Sequence, residues 1–200
     1  MITIVDYGMG NLGSVLNMFK KIGEPAQISS DLTVISKAEK LLLPGVGAFD
    51  AAMERLTQTE LRNVLDEKAL KEKVPVLGIC LGMQLLTNKS EEGQLSGLGW
   101  IPANTYKFPQ SQLKVPHMGW NLVECFKPSP LTADFNNEYR FYFVHSYYVK
   151  TESQNHSILQ TQYGVKFDSA IQKDNIFGAQ FHPEKSHRFG MQLLKNFAKV

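Results

Sequence analysis

The chain has 200 residues, 43% of them apolar, with 21 basic against 19 acidic side chains and a formal net charge of +2. That length suits a full hydrophobic core without metal or disulfide support, and a single domain over residues 1–200 is expected. The charges nearly cancel with no run of five alike, which argues against a nucleic-acid-binding surface; the uncharged stretch Val74 to Asn88, broken by Pro75 and two glycines, is too short for a membrane span.

Met1 to Asp6 reads as a short buried strand, after which Tyr7-Gly8-Met9-Gly10 forces a turn. Asn11 caps a helix from Leu12 to Ile22, which Gly23 ends. A strand near Ala26 to Ile28, a polar helical stretch from Asp31 and a strand Lys40 to Leu43 follow. This alternation predicts a parallel sheet. Phe49 to Lys71 has apolar residues at 49, 52, 53, 56, 61, 64, 65 and 69, which predicts a helix covering one sheet face, with one slip in its spacing. Val74 to Cys80 is apolar throughout, as a central strand buried on both faces requires, and a helix resumes at Leu81.

Past Gly99 the pattern changes. Trp100 to Phe108, Gly119 to Phe126, Tyr139 to Val149 and Ser157 to Tyr163 alternate or run apolar without helices between them, which predicts mixed or antiparallel strands. Ser186 to Val200 predicts a closing amphipathic helix. The fold class expected is α/β, with an open, mostly parallel central sheet, helices on both faces and additional antiparallel strands in the C-terminal half.

Only two cysteines occur, Cys80 and Cys125, and the first ten residues carry no basic side chain, so a reducing, cytoplasmic setting without a secretory signal is expected. The five histidines are scattered and no metal-ligand spacing appears; neither metal nor cofactor is expected.

Gly78-Ile79-Cys80-Leu81-Gly82 has the G-x-S-x-G spacing of a nucleophile elbow with sulfur in place of oxygen. A nucleophile on a sharp strand-to-helix turn has its neighbours two away pressed close, so both must lack side chains. The helix that follows aims N-terminal amides at the sulfur, favouring the thiolate, and the Leu81 amide faces a developing oxyanion. A lone cysteine in an apolar strand is most often a small buried hydrophobe, the reading that fits Cys125; the paired glycines reverse it for Cys80.

A cysteine nucleophile needs a base, and His182 in Phe181-His182-Pro183-Glu184-Lys185 is the best candidate. Pro183 keeps His182 out of the helical region, and in an extended segment Glu184 projects from the same face to orient the imidazole. Pro44-Gly45-Val46-Gly47, just after the third strand, offers a second oxyanion donor from the Val46 or Gly47 amide.

Gly-Ile-Cys-Leu-Gly-Met-Gln at 78–84 and Phe-His-Pro-Glu-Lys-Ser at 181–186 resemble the class I glutamine amidotransferases. Asp6-Tyr7-Gly8-Met9-Gly10-Asn11-Leu12, Pro44 to Gly47, His117-Met118-Gly119-Trp120-Asn121 and Phe143-Val144-His145-Ser146-Tyr147 resemble more closely the branch formed by glutaminase subunits of imidazole glycerol phosphate synthases. The resemblance, which runs from Ile4 to the last helix, implies a flavodoxin-like sheet. It implies Cys80 as nucleophile, His182 as base and Glu184 as its orienting partner. Val46 and Leu81 would supply oxyanion amides, while Gly47, Gln84, Ser146 and Tyr147 would hold L-glutamine. Asn11, Trp120 and Lys185 would face a cyclase subunit of the (β/α)8 barrel type in a heterodimer. Core packing for Trp120 and a solvated charge for Lys185 remain open. So do a paralogous glutaminase serving another synthase, such as one amidinating a surface-sugar precursor, and a scaffolding chain with an inert Cys80.

Overall fold

The computed structural model describes residues 1–109, 113–135 and 138–200. Strand and helix alternate in the first half: β1 (Ile2–Val5), α1 (Leu12–Ile22), β2 (Ala26–Ser29), α2 (Leu32–Ser36), β3 (Lys40–Leu43), α3 (Phe49–Thr57), α4 (Leu61–Asp66), β4 (Val76–Ile79) and α5 (Leu81–Leu85). The second half is strand-rich: β5 (Lys89–Ser90), β6 (Ala103–Lys107), β7 (His117–Cys125), β8 (Tyr139–His145), β9 (Tyr147–Thr151), β10 (Ser157–Tyr163), β11 (Val165–Lys173) and β12 (Ile176–Ala179), closed by α6 (His187–Lys199).

Nine strands form one sheet in the order β2-β1-β3-β4-β12-β11-β10-β7-β8, and β5-β6-β9 form a second. The first five of the large sheet pair in parallel and the remaining four antiparallel. Every residue of β1 and β4 is buried, as a sheet covered on both faces demands. One face packs Phe19 of α1 and Leu193 and Phe197 of α6 against Leu77 and Phe177. The other packs Phe49 and Leu56 of α3, Leu65 of α4 and Met83 of α5. Each such side chain contributes about 1.5–3 kcal/mol by leaving water.

Parallel strands put their carboxyl ends along one edge, where α/β sheets carry their sites. The turns after β1, β3, β4 and β12 therefore bring residues 7–10, 44–47, 80 and 180–184 to that edge.

Two expected elements differ, and one element is unexpected. The helix over 49–71 breaks between Thr57 and Leu61 and ends in a π-helical turn, Glu67–Lys71. Five residues advance a helix about 140° off the apolar stripe, so the break is what lets Leu56 and Leu61 both bury. The run Tyr139 to Val149 splits at Ser146, with β8 at the edge of the large sheet and β9 in the small one. The hairpin β11–β12 was not expected from the pattern. Buried Asp168 and Ser169 interrupt the apolar alternation of β11; Asp168 is held by Thr151, Ser157 and Gln160. Among the described residues no helix is long and apolar enough to cross a membrane.

Candidate active site

Cys80 sits between β4 and α5 with φ 55° and ψ −109°, a left-handed conformation costing a non-glycine residue about 1–3 kcal/mol. Its backbone is pinned: the amide donates to the Ala179 carbonyl at 2.7 Å, and its carbonyl accepts from Met83 and Gln84 at 3.1 and 3.3 Å. A Cβ on Gly82 would stand 1.9 Å from the Leu43 carbonyl oxygen, and one on Gly78 would stand 2.6 Å from the Gly82 oxygen. The paired glycines are thus required, but for a different reason from the one expected. They let α5 fold back onto β4 and β3 rather than clearing space beside the sulfur.

The thiol opens into a cavity of about 370 Å³ that also admits Val46, Gly47, Leu81, Gln84, Ser146, Tyr147, His182 and Lys185. All the candidate nucleophile, base, oxyanion and glutamine-holding positions named from the sequence, Glu184 apart, therefore line one space. Glu184 stands behind His182, its Oε1 accepting from Nδ1 at 2.7 Å, with both side chains nearly buried.

His182 is extended, as Pro183 requires, but Pro183–Lys185 is a 3-10 turn rather than a continuing strand. The turn, not strand alternation, brings carboxylate to imidazole. It is clamped from outside: the His182 amide donates to the Tyr142 carbonyl at 2.9 Å, and Ser186 Oγ donates to the His182 carbonyl at 2.6 Å.

Among the described residues, buried Nε2 of His182 has no hydrogen-bond partner. Cys80 lies beside the ring and acts on its charge. Burial works against the imidazolium, yet Cys80 and Glu184 outweigh it and push His182 up to about 10. The sulfur itself touches the Val144 carbonyl at 4.0 Å and Gln180 Nε2 at 3.8 Å.

The expected oxyanion donors are not both free. Leu81 N donates to the Gly45 carbonyl at 3.3 Å. Gly47 has φ +115°, a backbone that suits glycine, and Val46 is exposed. Tyr7, which the sequence marks only as part of a turn and a motif, donates its hydroxyl to the Pro44 carbonyl at 2.6 Å. Burial pushes its phenol well up, with Cys80 adding to the rise, so it stays protonated and keeps donating.

Asn11 caps α1, accepting from the Ser14 amide at 3.3 Å. Trp120 is exposed on β7 beside Met118 and Leu122, stacked on His187 at 5.6 Å. It is not a core residue. Lys185 is exposed, with Nζ 5.8 Å above the Tyr142 ring. Gln180 also escaped the sequence reading; its only signal was a polar residue two positions before His182 on extended chain. Among the described residues no cluster of His, Cys, Asp or Glu is arranged to hold a metal ion.

A parallel sheet bearing a cysteine on the turn after a central strand, facing a His–Glu pair, is the arrangement of an amidotransferase domain. Residues 3–200 match the family described as glutamine amidotransferase class-I, and the chain belongs to that family. It is similar to the imidazole glycerol phosphate synthase subunit HisH 2 of Methanococcus maripaludis, 55% identical over 100% of this chain and 99% of that one. The HisH 2 subunit of Pseudomonas aeruginosa is 50% identical over the full length of both. A solved glutamine amidotransferase structure, 14% identical, superposes over 100% of both chains with a TM-score of 0.77, a likeness of fold.

Proposed function

We propose that this chain is the glutaminase subunit of an imidazole glycerol phosphate synthase, which hydrolyses L-glutamine and hands the ammonia to a separate cyclase subunit in histidine biosynthesis. The observation that carries the reading is Cys80, held on a strained turn, opening with His182, which Glu184 backs, into a cavity that Gln84, Ser146 and Tyr147 also line. Names of relatives at 50–55% identity over the whole chain point to the same subunit.

The chemistry is acyl transfer. The Cys80 thiol passes its proton to His182 Nε2, and the thiolate attacks the side-chain amide carbon of glutamine. Charge gathers on the amide oxygen, where backbone amides at Val46 and Leu81 would meet it. The C–N bond then breaks as His182 returns the proton to the departing ammonia, leaving a glutamyl thioester. Water, deprotonated by His182, splits the thioester to glutamate and restores the thiol. Glu184 holds the imidazole by Nδ1 and stabilises its charge throughout.

Ammonia loses its nucleophilicity when protonated in bulk water, so an acceptor must bind close to the cavity. The exposed surface of Met118, Trp120 and Leu122, continued by Lys185 at the cavity wall, suits a docking face. The occupant proposed is a (β/α)8 barrel cyclase that receives the ammonia through its interior, with Asn11 at the margin of the contact.

The test is product formation by the complex. Cys80→Ala should abolish synthesis driven by glutamine and leave synthesis driven by ammonium salt intact. Glutamine-driven synthesis surviving in Cys80→Ala would refute the reading, and product with a different synthase alone would make the chain a paralogous ammonia donor.

A further inference from the structure

Gln180 is fully buried, and the reaction as written gives it no task. Its Nε2 lies 3.8 Å from Cys80 Sγ and its Oε1 3.1 Å from Gln84 Nε2. The two ends of an amide are told apart by their partners, and here one backbone atom decides. The Tyr147 carbonyl oxygen only accepts. Gln84 Nε2 approaches it at 3.2 Å and His145 Nδ1 at 2.7 Å, so both nitrogens carry protons. Gln84 therefore offers its other N–H to Gln180. That turns the Gln180 oxygen toward Gln84 and its N–H toward the sulfur.

The hydrogen bonds continue outward from His145. With Nδ1 protonated, His145 accepts at Nε2, from His117 Nδ1 at 2.9 Å; His117 in turn accepts at Nε2 from Asn121 at 3.2 Å. Both imidazoles are neutral, and burial keeps them so, pushing His145 down to about 3 and His117 to about 4. Aromatic rings enclose the pair, with Tyr163 stacked on His117 at 4.0 Å and Phe108 5.3 Å from His145. Two arms, Asn121–His117–His145 and Gln180–Gln84, thus meet at the Tyr147 carbonyl, which accepts from each, and every side chain in them is neutral.

We propose that Gln180 is a further catalytic residue, donating its Nε2–H to the Cys80 thiolate, and that His145 is a positioning residue that, by donating to the Tyr147 carbonyl, holds that acceptor where Gln84 needs it. This rests on Cys80 being the nucleophile. The step served is the first proton transfer: the S–H bond breaks, the proton moves to His182 Nε2, and the charge left on sulfur gains an N–H donor. A hydrogen bond to an ionised acceptor is roughly twice as strong as a neutral one, so Gln180 favours the thiolate over the thiol. The other titratable groups about the sulfur are His182, with Glu184 behind it, and the Tyr7 phenol; Glu92 and Lys185 line the cavity. All of them remain in the variants below.

The experiment follows iodoacetamide alkylation of Cys80 against pH in the full chain, read by peptide mass so that Cys125 does not interfere. Gln180→Met, of similar size without the donor, should move the midpoint upward by about one pH unit, a tenfold loss of thiolate at fixed pH. His145→Gln places no donor at the Nδ1 position and should move it the same way; His145→Asn, whose amide nitrogen stands where Nδ1 does, should reverse that shift. An unchanged midpoint in Gln180→Met overturns the proposal. Nitrogen-15 spectra of the unaltered chain add a check that needs no variant: His145 should carry its proton on Nδ1, and an Nε2–H tautomer overturns the relay. If wild type in its complex makes no glutamate from glutamine, the glutaminase reading falls and this proposal with it. Active wild type with an unmoved Gln180→Met midpoint removes this proposal alone.

Discussion

The Leu81 amide donates to the Gly45 carbonyl at 3.3 Å, so one of the two amides assigned to the oxyanion is occupied. The Tyr7 hydroxyl grips the preceding Pro44 carbonyl at 2.6 Å, which fixes the strand end in that orientation. Releasing Leu81 requires the Gly45 peptide to turn, and docking of a partner on the adjoining surface is the event that would drive it. One oxyanion donor is worth about 10²–10³ in rate. Glutamine hydrolysis by the chain alone should therefore rise by about that factor when the cyclase subunit and its substrate are added. Steady-state rates with and without partner measure it, and equal rates refute the coupling.

Glu184→Gln should lower kcat for glutamine hydrolysis by about 10²-fold or more, because the imidazolium loses its anchor. The variant also carries a pH signature. His182 is raised in the folded chain from 6.5 to about 10, so the stability it contributes is fully present below 6.5 and is lost as pH rises through about 10. In urea unfolding the gap between wild type and Glu184→Gln should be widest near pH 6 and shrink toward pH 10. A gap that widens with pH contradicts the assignment.

Gly82→Ala should destabilise the chain by about 1–3 kcal/mol, since the new methyl would press on the Leu43 carbonyl and push α5 away from β3. Thermal melting reads the loss. An unchanged melting temperature would mean that α5 does not lie against β3 as described.

Trp120→Ala should weaken cyclase binding by about 2 kcal/mol, near a thirtyfold rise in Kd, with little effect on the melting temperature of the free chain. Trp120 packs chiefly on His187 and is 44% exposed, so its removal leaves no internal cavity. Titration calorimetry decides it, and an unaltered Kd removes Trp120 from the interface.

The residues of the site were legible wherever local sterics constrained them. Gly78 and Gly82 mark the elbow by their spacing alone, and Pro183 marks an extended His182. What was not legible depended on distant partners. β12, the fifth parallel strand, follows a β11 whose alternation is broken by buried Asp168, and only Thr151, Ser157 and Gln160, 8–17 residues away in sequence, make that burial tolerable. The Leu81–Gly45 contact joins two turns that no spacing rule relates. Gln180 gains meaning only through Gln84 and Cys80, each about a hundred residues earlier.

The most direct measurement is covalent trapping with a glutamine analogue carrying a diazoketone in place of its side-chain amide. Digestion and peptide mass spectrometry should find the adduct on the Cys80 sulfur, none on Cys125, and protection by excess glutamine. An adduct on any other side chain, or an unmodified Cys80 in enzyme whose glutaminase activity has been lost to the reagent, would contradict attack by this sulfur.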